Sequence, residues 1–569
     1  MSTIHFAHCS KDAVRVYSSI SKRIDWLSTQ CDATVLAGRK VGLEKESLRV
    51  GENGKISQLD HPSVLGSALC HTAITTDFSE SLLEMVTPPC SSSAEALEYL
   101  TGIHQFVAPR LPWGELLWHT SMPCIVDGEQ SIRIGEYGDA HSAIMKHVYR
   151  RGLGNRYGHM MQAIAGIHYN FSMPDAFWLR WAELHGLEGK STDAVRTAGY
   201  FHMTREWMRI AWVVPYLFGA SPAVCESFLG DASGDSDLEK LKGGTRYARY
   251  GTSLRMGNIG YRYREDSGVD LSVCHQSFAH YMNDLHAHVT TEHPAYARDG
   301  VLDKTGKYHQ LNANRLQIEN EFYSSIRPKQ IPEGEQMPLI AMQERGIRYL
   351  ELRSVDINPF EPTGLTSEQL AFLEVLMVFT ALSDPYPQDA EAIVRAKHNV
   401  ELVAHRGREP GLELETVNGP VLLKEWGEHL IGALEPIAQW FDQQNGTEIY
   451  SASVAIQRQR FLSSDYTTSA DVLDQVHSSG SFFRFAMDQS LRHHHSLEGA
   501  VIDETLCETL MVGAAESMRR QRQLEAETTG SFKDFLDERF KQLIPPMKSQ
   551  LIDDVDDIEA RLFGDAHRG

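Results

Sequence analysis

The segment AGIHYNFSM places the tightest constraint on this chain. Ala165, Ile167, Tyr169 and Phe171 alternate there with Ile164, Gly166, His168, Asn170 and Ser172. Successive side chains of a strand point to opposite faces, so an apolar face backs a polar one. Three more segments carry the same alternation. In VGLEKESLRV, Gly42, Glu44, Glu46 and Leu48 share a face. In GIRYLELRSVDINPF, Tyr349, Glu351, Arg353 and Val355 stand opposite Leu350 and Leu352, and in TSLRMGNIGY, Ser253 and Arg255 stand opposite Leu254. Charges on strands this apolar are costly to bury alone, so they are expected to converge on one shared polar cavity.

Asp77 and Glu84 of ITTDFSESLLEMVTPP complete an inventory of five carboxylates, one imidazole and two arginines. Oxygen ligands with a single histidine suit Mg²⁺, or Mn²⁺, whereas zinc favours cysteine or several histidines. Hard cations beside arginines imply a polyphosphate. The formal net charge of -22 excludes a nucleic-acid partner, which needs a basic face to release counterions. The eight cysteines are scattered singly, as expected of reduced thiols in a cytoplasm, and Cys124 and Cys225 read as plain buried residues.

Met1 to Asp12 shows no basic region followed by an apolar one, so no export signal is expected. The stretch Ile210 to Val224 is too short to span a bilayer and contains Pro215, which makes it a core segment and leaves no expected membrane partner. Residues 11–32 read as an amphipathic lid or packing helix, with Val14, Tyr17, Ile20, Ile24 and Leu27 at helical spacing. No linker divides the chain, so residues 1–569 are expected to form one catalytic unit, with a sheet-rich active-site portion at 41–360 and a mainly helical scaffold at 361–569. Gly189-Lys190-Ser191-Thr192 resembles the end of a P-loop, but Leu184 occupies the first glycine position. Gly152-Leu153-Gly154 follows a helix-like run and lacks the third fingerprint glycine. His493 to His495 read as an exposed polar helix end.

These residues, in this order, resemble the proteobacterial type of the glutamate–cysteine ligase family. The motifs that carry the likeness are GLEKESLRV, HPSVLGSALCHTAITTDFSESLLEMVTP, YRRGLGNRYG, GIHYNFS, VVPYLFGASPAVC, LQIENEFYSSIRPK and YLELRSVDINPF, collinear from Gly42 to Phe535. The likeness is weak in the first 25 or so residues, from Asp231 to Arg249 and beyond Lys541. It implies an α+β, glutamine-synthetase-like fold, in which a curved antiparallel sheet forms a funnel-shaped active site covered by helices. It implies metal ligation by Glu44, Glu46, Asp77, Glu84, His168 and Glu351, with Glu84 also beside substrate. Arg255 and Arg353 would hold glutamate and the transferring phosphate, and Gln162, Ile164 and Asn170 would line the amino-acid site. Phe78, Tyr149, Arg150, Leu153, Tyr261 and Tyr323 would shape the cysteine pocket, with Arg327 and Lys329 near the nucleotide. A cytoplasmic monomer, inhibited by glutathione in competition with glutamate, is implied as well.

The activity implied is ATP-dependent ligation of the glutamate γ-carboxylate to the cysteine amine, the first step of glutathione synthesis. A carboxylate and an amine do not condense in neutral water, so the γ-phosphoryl group of ATP must first convert the carboxylate to γ-glutamyl phosphate. Arg353, Arg255 and Glu351 are expected to carry that chemistry. Two alternatives remain: a ligase of the same fold with a different amine acceptor, and a non-catalytic relative, which should have lost metal ligands where none is missing.

Overall fold

The computed structural model describes residues 20–30, 33–123, 125–230, 237–260, 271–385 and 390–564. Its main sheet has seven strands: β1 (Lys40–Gly51), β2 (Ile74–Thr76), β3 (Leu82–Val86), β4 (Glu115–Leu117), β5 (Ile167–Ser172), β6 (Ile326–Lys329) and β7 (Tyr349–Val355). The order is β2-β3-β1-β5-β7-β6, with β4 on the end of β1, and the pairings are antiparallel. The register brings Glu46 opposite Glu84, Glu44 opposite His168, Asn170 opposite Glu351 and Glu351 opposite Arg327. Directly opposed residues share a face, so one side of the sheet collects the charges.

The other face is core. Ile167, Tyr169, Phe171, Leu350 and Leu352 are fully buried. Helices pack around the sheet, among them α1 (Ile20–Gln30), α2 (Ser93–Val107), α3 (His141–Tyr157), α4 (Thr192–Ile210), α5 (Ser367–Leu382), α6 (Phe482–Glu498), α7 (Phe532–Lys541) and α8 (Gln550–Phe563). Thr366 and Gln369 form a capping box that starts α5, and this helix is apolar nearly all round because it is enclosed, packing on α2 and α4. Its buried Glu374 pairs with Arg39 and accepts from Ser93 Oγ at 2.8 Å. The back of β1 is not wholly apolar: Lys45 Nζ lies 2.8 Å from His104 Nε2, and Arg49 pairs with Glu115 at 2.7 Å.

Several expectations need amendment. The amphipathic run is helical over Ile20–Gln30, where Ile20, Ile24 and Leu27 are buried; Val14 and Tyr17 lie outside the described residues. It packs rather than covers, with Arg23 donating to the carbonyls of Leu382 (2.6 Å) and Ser383 (2.5 Å) at the end of α5. Ser253 to Arg255 is not a strand. Ser253 caps a 3₁₀ turn over Leu254–Met256 because its hydroxyl is held by Asp356 Oδ1 at 3.0 Å. His493 is buried inside α6, its Nε2 2.9 Å from Pro359 O, and His494 is half-buried, so the expected exposed helix end holds only for His495 in the last turn. Gly189 to Thr192 follow a helix over Asp175–Leu184 rather than a strand, with Ser191 capping α4, and Gly152 to Gly154 lie within α3, so neither segment has the setting of a phosphate loop. Ala211 to Val224 are buried, as is Cys225, while Cys124 lies outside the described residues. The tail beyond Lys541 joins the packed body: α8 lies on α4, and its Glu559 accepts from Phe278 N at 2.9 Å.

Candidate active site

A cavity of about 570 Å³ lies over the charged face of the sheet. β1 supplies Glu44 and Glu46 from alternate positions of one strand. Glu44 Oε2 is 2.9 Å from His168 Nδ1, and its Oε1 accepts from Asn170 Nδ2 at 2.8 Å. Glu46 Oε2 accepts from Gly166 N at 2.7 Å. Glu84 projects from β3 opposite Glu46, and Asp77 sits on the turn between β2 and β3.

Crowding of these carboxylates sets their proton affinities. Burial, then the charges of Asp77, Glu44 and Glu46, lifts Glu84 well above the usual carboxylate range. Burial and Asp77 raise Glu46. Burial also pushes Glu44 upward, but the His168 hydrogen bond and the Lys329 charge outweigh it and hold Glu44 low. Ligand atoms of Glu44, Glu84 and His168 all lie within 4.8 Å of one another. Oxygen donors with one imidazole, crowded until one carboxyl resists ionisation, fit hard divalent cations, which would relieve that repulsion.

The other half of the cavity is cationic around one anion. Glu351, on β7, lies 3.1 Å from Arg353, 3.5 Å from Lys329 and 3.8 Å from Arg327. Burial opposes its ionisation, yet Lys329, Arg353, His168 and Arg327 hold it well below the usual range. Burial works against the Arg353 charge too, but Glu351 and Glu46 keep that side chain firmly protonated. Arg255 arrives from the 3₁₀ turn, donating through Nη2 to Arg353 O at 2.6 Å and standing 3.6 Å from Asp356. Gly166 makes room for it: a Cβ there would lie 2.0 Å from Arg255 Nη2.

Helix α3 forms the facing wall. Tyr149, Arg150 and Leu153 line the cavity, with Phe78 buried beside them and its ring 5.5 Å from that of His159. Gln162 and Ile164 follow α3 on the approach to β5, and Tyr323 closes one side, its hydroxyl 3.5 Å from Met256 Sδ. Gln162 Nε2, Asn170 Oδ1, Arg327 Nε and Arg353 Nε are buried without a protein partner among the described residues, as atoms kept for a ligand would be. The structure thus gathers the expected residues around one cavity, with Asn170 acting on it through Glu44; Tyr261 lies outside the described residues.

Sequence reasoning missed Lys146, Asn320, Glu335 and Arg539, which also line the cavity, and Asp356 beneath it. Lys146 precedes Arg150 by one helical turn, a spacing that could have singled it out. Arg539 comes from α7 and pairs with Glu335, a contact across some 200 residues that no local pattern announces.

Residues 24–403 match the family model described as glutamate-cysteine ligase. The glutamate–cysteine ligase of Alcanivorax borkumensis is 39% identical over 527 residues, covering 92% of this chain and 99% of that protein. That of Azotobacter vinelandii is 38% identical over 521 residues, 91% and 97% of the two chains. Among solved structures, the glutamate–cysteine ligase of Francisella tularensis in complex with AMP superposes with a TM-score of 0.82 at 31% identity, covering 88% of this chain and 97% of that one. A bifunctional glutathione synthetase from Pasteurella multocida shares the fold at a TM-score of 0.66 and 24% identity, over 85% of this chain and 55% of that one.

Proposed function

Because this chain belongs to the glutamate–cysteine ligase family, we propose that the cavity over its sheet makes γ-glutamylcysteine by way of γ-glutamyl phosphate. The reaction is the ATP-dependent ligation of the L-glutamate γ-carboxylate to the L-cysteine amine, and it opens glutathione biosynthesis. The observation that carries the mechanism is the bipolar cavity, with crowded carboxylates at one end and partly engaged arginines at the other.

Glu44, Glu46, Asp77, Glu84, His168 and Glu351 would hold magnesium, which supplies charge neutralisation for the triphosphate. Arg353, pinned by Glu351, presents its orphaned Nε where charge builds on the equatorial phosphoryl oxygens. Arg327 and Lys329 extend that cationic wall toward the rest of the nucleotide. Arg255 has a planar fork suited to a glutamate carboxylate, and Gln162 Nε2 is free to donate to the same substrate. Once the glutamate oxygen has taken the γ-phosphoryl group from ATP, with ADP as the leaving group, the cysteine amine attacks the acyl carbon and gives up a proton to a base in the cavity. Phosphate then leaves as the amide forms. Phe78, Tyr149, Leu153 and Tyr323 give the acceptor side chain aromatic and apolar walls.

Inhibition by glutathione in competition with glutamate, a monomeric state and a cytoplasmic setting belong to this proposal. No described helix is long and apolar enough to cross a membrane. The test is a product assay with ATP, glutamate and a panel of amines. Cysteine should be used best, 2-aminobutyrate within about tenfold of it because aromatic walls favour sulfur only modestly, and glycine poorly. Phosphate should accompany each turnover; release of pyrophosphate, or glycine outperforming cysteine, would overturn the reading.

A further inference from the structure

The cationic wall of the cavity is braced from behind. Arg327 leaves β6 with Nη1 3.8 Å from Glu351, and its Nη2 donates to the carbonyls of Asn320 at 3.1 Å and Phe322 at 2.5 Å. Those two carbonyls flank Glu321, the last residue of a 3₁₀ turn over Glu319–Glu321. A single 3₁₀ turn has too few hydrogen bonds to hold its own place, so the aim of Arg327 depends on what anchors the turn.

The anchor is the Glu321 side chain. Its Oε1 accepts from Arg156 Nη1 at 3.0 Å and from the Tyr157 hydroxyl at 2.7 Å, and its Oε2 accepts from Gln317 N at 2.6 Å. Arg156 is fixed in turn: its Nε and Nη2 donate to Gln310 Oε1 at 3.0 and 2.8 Å, and its Cζ lies 4.1 Å from the centre of the Tyr296 ring. Arg156 and Tyr157 end α3, so the pair ties that wall of the cavity to the turn that holds Arg327. The Arg156 and Glu321 side chains are 1% and 0% exposed. Attraction between charges buried so deeply does little more than offset their dehydration, so the pair supplies fixed geometry more than stability.

We propose that Glu321, anchored by Arg156, is a positioning residue for Arg327: it holds the turn whose carbonyls direct that guanidinium toward Glu351 and the nucleotide phosphates. The role of Arg327 toward the nucleotide rests on the ligase reading above, whereas the brace behind it is read from the hydrogen bonds. The rival is a pair that serves only the fold. The two differ in one readout. A residue that acts through Arg327 loses its effect once Arg327 is replaced, whereas a role in the fold persists whatever stands at that position.

The experiment is a double-mutant cycle on the full-length protein. It measures kcat/KM for ATP at saturating glutamate and cysteine, with Tm in parallel, for the wild type, Glu321→Asp, Arg327→Met and the double variant. Aspartate keeps the charge but shortens its reach by about 1.5 Å, and a misplacement of about 1 Å can cost on the order of a hundredfold. Glu321→Asp should therefore lower kcat/KM roughly tenfold or more in the wild-type background and by less than about twofold in the Arg327→Met background. Arg327→Lys, which lacks the fork that reaches both carbonyls, serves as the second background if Arg327→Met does not fold. Equal falls in both backgrounds overturn the proposal, as does a Glu321→Asp enzyme within about twofold of wild type. A Glu321→Asp chain that does not fold overturns it too, because the carboxylate then serves the fold itself. The same cycle read on the affinity for ADP with magnesium, by calorimetry, needs no turnover. The ligase reading is tested separately, by formation of γ-glutamylcysteine in the wild type.

Discussion

Replacing Gly166 by alanine adds one carbon at the point where β5 meets Arg255. That Cβ would stand 2.0 Å from Nη2, 2.4 Å from Cζ and 2.7 Å from Nε of Arg255, where real contacts essentially never fall below 3.0 Å. The guanidinium must therefore retreat by about 1 Å or more, which carries its 2.6 Å bond to Arg353 O beyond hydrogen-bond reach. A hydrogen bond from a charged group is worth about 1.5–3 kcal/mol, so kcat/KM for glutamate should fall by roughly 10- to 150-fold if Arg255 holds that substrate. Gly166 is not among the residues of positive φ, so the backbone accepts alanine. The local overpacking, about 1–3 kcal/mol, is partly offset by the lower chain entropy of alanine in the unfolded state. The assay is phosphate release against glutamate concentration at saturating ATP and cysteine, with Tm measured in parallel. A folded Gly166→Ala enzyme whose glutamate kcat/KM lies within twofold of wild type would refute the placement of Arg255.

Glu44→Gln removes a charged donor at nearly constant volume; turnover should drop by orders of magnitude with the fold intact, and near-normal rates at saturating magnesium would count against the metal assignment. Lysine lacks the planar fork of arginine, so Arg353→Lys should chiefly lower kcat and Arg255→Lys chiefly raise the glutamate KM. Small, equal effects of both on glutamate saturation would show them misplaced. Away from the site, burial lifts Glu559 from 4.5 to about 7, against the Arg205 charge and the Phe278 N–H. Its folded value lies above its unfolded one, so the associated stability is complete below about pH 4.5 and is lost as pH rises through 7, by about 3 kcal/mol. Denaturant titrations of wild type and Glu559→Gln at pH 5 and pH 8.5 should reveal that difference, and identical pH slopes would exclude it.

The sequence by itself determined which side chains share a face. Alternation along a strand is a property of the extended backbone, so Glu44 with Glu46, His168 with Asn170 and Glu351 with Arg353 could be paired before any fold was known. What it left open was which faces meet. Glu84 opposite Glu46, and Arg327 opposite Glu351, follow from strand register, which depends on packing between segments tens to hundreds of residues apart. Arg255 shows how local pattern misleads. Its segment alternates like a strand, yet Asp356, about a hundred residues further on, holds Ser253 as the cap of a 3₁₀ turn and so aims the guanidinium into the cavity. Lys146 and Arg539 lie on helices whose patterns specify only a buried and an exposed side. Their place in the cavity was decided by how α3 and α7 dock against the sheet, because side chains meet across space only where the packed core fixes their helices.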